Sequence, residues 1–198
     1  MTSKVIQMEC PGCGAPVNTS QKNCDFCKGP IVISTFNSVS SMGVPLLNKY
    51  ANSYRDALSS APGDPQLSGA IALCYMKLKL FDKALPAFER AIESNFDNSE
   101  MYFCASVCVF RGQRPFLSSR ESVDRAISLL QAALAIEPRG IYHYLEAFIR
   151  HDYFERKFFR IQPGYKACLA AARAAGLSEH DISSLHELIS VARPAALS

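Results

Sequence analysis

Phe81-Asp-Lys-Ala84-Leu-Pro-Ala-Phe88-Glu-Arg-Ala91-Ile92 sets small and aromatic residues at helical spacing. Ala84, Phe88 and Ala91 stand at i, i+4 and i+7, so they share one face, and the charges fall on the other. Pro86 is read as tolerable because it lies in the first turn after an Asp82 cap. The pattern also has an echo upstream. Tyr54, Ala57 and Pro62 recur at a fixed interval as Phe88, Ala91 and Phe96, and Cys74 recurs as Cys108 at the same interval. Self-similarity at a fixed period is the mark of a repeat architecture.

That interval, a period of about 34 residues, resembles the tetratricopeptide repeat (TPR), a helix-turn-helix unit. The best copy runs from Pro65 to Asn98, with Ala72 and Tyr75 on its first helix and Ala84, Phe88 and Ala91 on its second. A second copy runs from Ser99 to Pro138, where Tyr102 and Ser106 match the first helix and Ala126, Leu130 and Ala133 the second. Ala84 and Ala126 stand further apart than one period, by about eight residues, and the excess falls in Arg111 to Glu121 between the two helices. Val44 to Ala61 reads as a second helix without a first, whose bare side the N-terminal segment is expected to cover. Beyond Gly140 the pattern fades into Ile141–Ile149, Pro163–Ala175 and a last helix opened by the capping box Ser178-Glu-His-Asp181. The resemblance implies a mostly α fold, a TPR-like helical hairpin solenoid over residues 44–198, with the final helices as its cap.

Upstream of the array, Cys10-Pro-Gly-Cys13-Gly is followed by a second pair, Cys24-Asp-Phe-Cys27-Lys-Gly. The doubled C-x-x-C resembles the zinc-ribbon family, and the resemblance implies one structural Zn2+ held by Cys10, Cys13, Cys24 and Cys27. Four thiolates give a closed tetrahedral shell, which supports folding and leaves no position for substrate. A redox pair would need the start of a helix in a βαβ context, and Pro16 with the polar run Asn18 to Asn23 provides none. Gly14 and Gly29 are expected to permit the tight turns. Ala15–Val17 and Ile31–Ile33 read as two strands of a hairpin carrying the metal. Residues 1–33 are thus read as the zinc ribbon and 34–43, rich in Ser and Asn, as a linker.

Composition narrows the rest. A chain that is 48% hydrophobic and 20% charged is built to form a core, and a formal charge of +3 does not by itself imply nucleic acid. The first ten residues carry no apolar leader, and no run approaches the ~18 apolar residues of a membrane span. A cytoplasmic protein without a membrane partner is expected. There is no G-x-x-x-x-G-K-[ST], H-E-x-x-H or G-x-S-x-G, so no catalytic role is assigned. Cys74, Cys104, Cys108 and Cys168 read as core thiols.

The repeat resemblance implies a protein-interaction adaptor whose first helices line a concave groove for a partner peptide or helix. In register, the groove residues are Leu73 and Met76 of one repeat and Phe103, Val107 and Phe110 of the next. The competing reading is a nucleic-acid-associated factor. It rests on the ribbon, on Arg156, Lys157 and Arg160 among aromatics, and on Arg111, Arg114, Arg120 and Arg125 at the insertion. The ribbon's Lys4, Lys22 and Lys28 against Glu9 and Asp25 leave only one net positive charge. That is thin for gripping phosphates, so the adaptor is preferred.

Overall fold

The structure is a computed structural model that describes residues 5–198. Helices make up 63% of the chain, against two three-residue strands among the described residues, so the fold is mostly α. The chain divides into two compact units, Met1–Phe96 and Asp97–Ser198.

In the first unit, β1 (Gln7–Glu9) pairs antiparallel with β2 (Pro16–Asn18), Met8 opposite Val17. The hairpin expected between Ala15–Val17 and Ile31–Ile33 is therefore not the one that forms. Ile31 and Ile33 instead bury their side chains, and the second knuckle is closed by an isolated bridge, Asn23 to Pro30. Where a linker is expected at 34–43, Thr35 caps a short helix α1 (Phe36–Ser40) that buries Val39 completely. The apolar Val39 removes the freedom that a Ser/Asn composition suggests, because burying it fixes the turn around it.

Helix α2 (Val44–Ser60) buries Leu47, Tyr50, Ala51, Tyr54 and Ala57, one stripe at helical spacing. Asp64 caps α3 (Pro65–Lys77) by accepting the Leu67 N–H at 2.8 Å. No charge interrupts α3 before Lys77, and it is buried nearly all round. A short turn that includes Lys79 in the left-handed region reverses the chain into α4 (Phe81–Ser94). Ala84, Phe88 and Ala91 of α4 are buried as expected. Pro86 differs: α4 begins at Phe81, so Pro86 is its sixth residue, past the first turn, where it has no N–H to offer back along the helix.

The second unit repeats the hairpin plan. α5 (Ser99–Val109), buried nearly all round, pairs with α6 (Arg120–Ile136), which Ser119 caps by accepting the Ser122 N–H at 3.1 Å. α7 (Gly140–Ile149) pairs with α8 (Tyr165–Ala174), and α9 (Glu179–Ile189) lies on α7 under the expected Ser178 cap. Past Ile149 the helix widens into a π-type turn, Arg150–Phe154, followed by a 3-10 turn, Glu155–Lys157. That widening seats Asp152 inside the unit. There it accepts from Arg114 at 2.6 Å, from Arg156 at 2.7 Å and from the Phe116 N–H at 2.9 Å. The insertion is thereby tied down within the unit, with a 3-10 turn at Pro115–Leu117.

Candidate metal centre and surrounding surfaces

The two cysteine knuckles share one hydrogen-bond plan. Cys10 N–H donates to the Ala15 carbonyl at 2.7 Å and Gly14 N–H to the Cys10 carbonyl at 2.9 Å. In the second knuckle, Cys24 N–H donates to Gly29 and Lys28 N–H to Cys24, both at 2.9 Å. The left-handed residue of each turn is thus Gly14 at φ 79° and Lys28 at φ 60°. Gly29 matters for space instead. A Cβ there would come within 3.2 Å of the Tyr50 hydroxyl and 3.5 Å of the Cys27 sulfur.

These matching turns bring the four thiols to one point. Their sulfurs all lie within 4.8 Å of one another, and no other group of three or more ligand-type side chains converges so among the described residues. Cys10 and Cys27 approach to 3.6 Å and Cys13 and Cys24 to 3.7 Å, far beyond the disulfide length of about 2.05 Å. Cys10 and Cys24 are buried, Cys13 and Cys27 exposed. The Cys27 backbone amide draws the Cys24 thiol down, whereas burial pushes the Cys10 thiol up. Crowding four thiolates is unfavourable without a cation among them, so the donor set is compatible with a metal ion.

Helix α2 supplies an outer layer to this centre. Tyr50 donates to the Pro30 carbonyl at 2.9 Å, Ser53 to the Glu9 carbonyl at 2.9 Å, and Tyr54 to the Ile31 carbonyl at 2.9 Å. Burial raises the Tyr50 phenol to about 12 and Tyr54 further, so both remain neutral donors. Sequence reading missed these three side chains. Their signal was Tyr50 and Tyr54 at i, i+4 on the helix that lacks a first-helix partner. The ribbon segment covers that bare face. Of the ribbon's cations, Lys4 lies outside the described residues.

The five residues expected to line a partner groove are buried. Leu73 and Met76 lie inside the first unit, and Phe103, Val107 and Phe110 inside the second. Phe103 stacks on Tyr142 with ring centroids 4.8 Å apart. The physical reason is composition: α3 and α5 are apolar around most of their circumference, so most of their side chains are buried. Cys74, Cys104, Cys108 and Cys168 are likewise buried, and burial raises each thiol above its ordinary range.

Two basic clusters that are separate in sequence meet in the second unit. Arg114 and Arg156 share the Asp152 carboxylate. The Arg156 guanidinium lies 4.5 Å from the Phe116 ring centre, and the Lys157 ammonium 3.9 Å from that of Tyr153. Arg156 and Lys157, two of the cations of the nucleic-acid reading, thus contact internal groups while their side chains remain partly exposed. No helix among the described residues is long and apolar enough to cross a membrane.

No family model matches the sequence, and no curated protein matches it. Solved structures do resemble the fold. TTC0263, a thermophilic TPR protein of Thermus thermophilus, shares 21% identity over 73% of this chain and 74% of its own, with a TM-score of 0.54. MamA from MSR-1 shares 16% identity over 78% and 73% of the two chains, with a TM-score of 0.46. MamA from AMB-1 shares 17% over 80% and 71%, also at 0.46. The TTC0263 likeness, at this identity, speaks to the fold alone: the helical hairpins are TPR-like.

Proposed function

We propose that this chain is a protein-interaction scaffold in which a zinc-loaded four-cysteine ribbon caps the first unit by covering α2. The observation that carries the zinc reading is sulfur spacing. A tetrahedral site with Zn–S of about 2.3 Å has S–S edges of about 3.8 Å. The approaches of 3.6 and 3.7 Å match that edge. Cys10, Cys13, Cys24 and Cys27 hold the ion, and its charge offsets the crowding of four thiolates and the burial of Cys10 and Cys24. With all four positions taken by sulfur, the ion contributes folding free energy rather than catalysis.

The scaffold reading is supported by TPR-like hairpins whose helices carry no recognised catalytic motif. Such repeats present extended surfaces to protein partners. Because the five residues expected in a groove are buried, this reading places the partner on another surface. Elemental analysis of the full chain tests the zinc reading, with about one equivalent per chain expected. Another metal, or none, in protein purified without chelator sinks it. Cross-linking in the native cells tests the scaffold reading, and the absence of any protein adduct counts against it.

A further inference from the structure

The second unit exposes large apolar side chains beside its basic cluster. Phe158 is 92% exposed, Leu117 69% and Phe159 50%. Phe116, which adjoins Leu117, lies under both Arg156 and Lys157, at 4.5 and 5.0 Å, and Lys157 adjoins Phe158. These contacts tie the insertion, which carries Leu117, to the turn that carries Phe158 and Phe159. The chain holds them there against two preferences. Water disfavours a bare Phe ring, and Phe158 sits in the left-handed region at φ 61°, where a bulky residue is strained. Its backbone is pinned on both sides. Phe158 N–H donates to Glu155 at 3.0 Å and Phe159 N–H to Phe154 at 2.9 Å. The ring is thus presented on a rigid turn, a costly conformation of the kind found at functional sites.

Charge around the rings has one sign in excess. Asp152 is shared by two guanidiniums, which leaves a positive surplus. Lys157 and Arg160 add to it, and Glu155 is the carboxylate in the exposed rim. Beside Phe158 opens a cleft of about 470 Å³ with a mixed lining, apolar at Phe158, Phe159 and Ile161 and polar at Arg150, Glu155 and Arg160. A recess of mixed apolar and charged lining next to a protruding ring suits a partner side chain flanked by polar groups, which a flat bilayer does not supply. An aliphatic Leu117 offers no face for a base to stack on, and Arg114 and Arg156 share the Asp152 carboxylate, which leaves few cations to grip a phosphate backbone.

We propose that the surface formed by Leu117, Phe158 and Phe159, rimmed by Arg156, Lys157 and Arg160, docks an acidic segment of a partner protein that carries apolar side chains. This rests on the scaffold reading and names the surface and chemistry of its partner. Aromatic and Arg side chains are the types that dominate such contacts, and acidic groups opposite the rim steer the encounter.

The test places a benzophenone amino acid at Phe158 of the full chain in its own cells, with a second probe at the exposed Ser59 of the first unit as control. The expected product at Phe158 is an adduct to a peptide of net negative charge with apolar residues. The synthetic form of that peptide should bind purified chain, more weakly as salt rises. Phe158→Gly and Leu117→Ser should each weaken it on the order of tenfold or more. Phe158→Gly should leave the melting temperature unchanged or raised, since glycine suits the left-handed backbone. A purely structural role for the ring predicts a lowered melting temperature and unchanged binding, which overturns the proposal. Adducts to lipid or nucleotides at Phe158 overturn it too. Protein adducts at Ser59 but none at Phe158 reject this surface and leave the scaffold reading standing; none at either site rejects both.

Discussion

The Tyr54 hydroxyl is the hydrogen-bond partner of the Ile33 amide, accepting it at 3.0 Å across 21 residues of sequence. The same oxygen donates to the Ile31 carbonyl at 2.9 Å, so one phenol satisfies a buried donor and a buried acceptor. Tyr54→Phe keeps the ring and strands both backbone groups. A cost of about 1–3 kcal/mol is expected, read as a lower melting temperature with metal content retained. An unchanged melting temperature would show that water replaces the phenol.

On the zinc reading, removing the metal should affect more than residues 5–33. Because Tyr50, Ser53 and Tyr54 join α2 to the ribbon backbone, chelation or Cys24→Ser should raise amide exchange in α2 as well as in 5–33. Helical circular dichroism should fall only modestly, since α3–α9 lie outside these contacts. Loss confined to the ribbon would mean that the docking is independent of the metal.

Phe103 separates core from groove. Stacked on Tyr142 and buried, it should cost about 3–5 kcal/mol when changed to Ala. That corresponds to a melting temperature lowered by more than about ten degrees in a unit of this size. A tolerated Phe103→Ala would restore the groove reading.

Asp152→Ala should loosen the insertion rather than unfold the unit. It releases the Phe116 amide and two guanidiniums, both 40% exposed and therefore partly solvated. A loss of about 1–2 kcal/mol is expected after allowing for that screening. Faster amide exchange at 111–119 is the check, and protection there should survive if the insertion is held by packing alone.

His186 makes stability fall on acidification. Its ring bridges the Tyr144 hydroxyl and the Val191 carbonyl, each at 2.8 Å. Burial, with Arg193 nearby, holds its pKa below the ordinary 6.5. The unfolded chain then binds the proton more readily, so stability is full above about pH 6.5 and declines as pH drops toward the lower folded value. His151, depressed by burial as well, contributes in the same direction. His186→Gln should shrink, without abolishing, the difference in melting temperature between pH 7.5 and 5.5. An undiminished difference would assign it to other groups.

How much of this was legible varied with the range of the interaction. Local signals read well: the Ser178 cap, the buried Ala84–Phe88–Ala91 face and the convergence of two knuckles all depend on residues near one another. Within the second knuckle, sequence reading places the left-handed turn at Gly29, whereas Lys28 makes it. The strand at Gln7–Glu9 was missed, since so short a segment as QME carries no period-two apolar signal.

The sequence by itself determined the helical repeat, through a period of about 34 residues, and the four-thiol cluster, through spacing. Both follow from short-range geometry: about 3.6 residues per helical turn, and a C-x-x-C turn that aims two sulfurs one way. Only the tertiary structure decided which faces stay open. Leu73, Met76, Phe103, Val107 and Phe110 read equally well as groove or core, because an apolar side chain records its preference for burial and not what buries it. The same holds for Phe158, which composition would place inside and a left-handed turn holds in solvent.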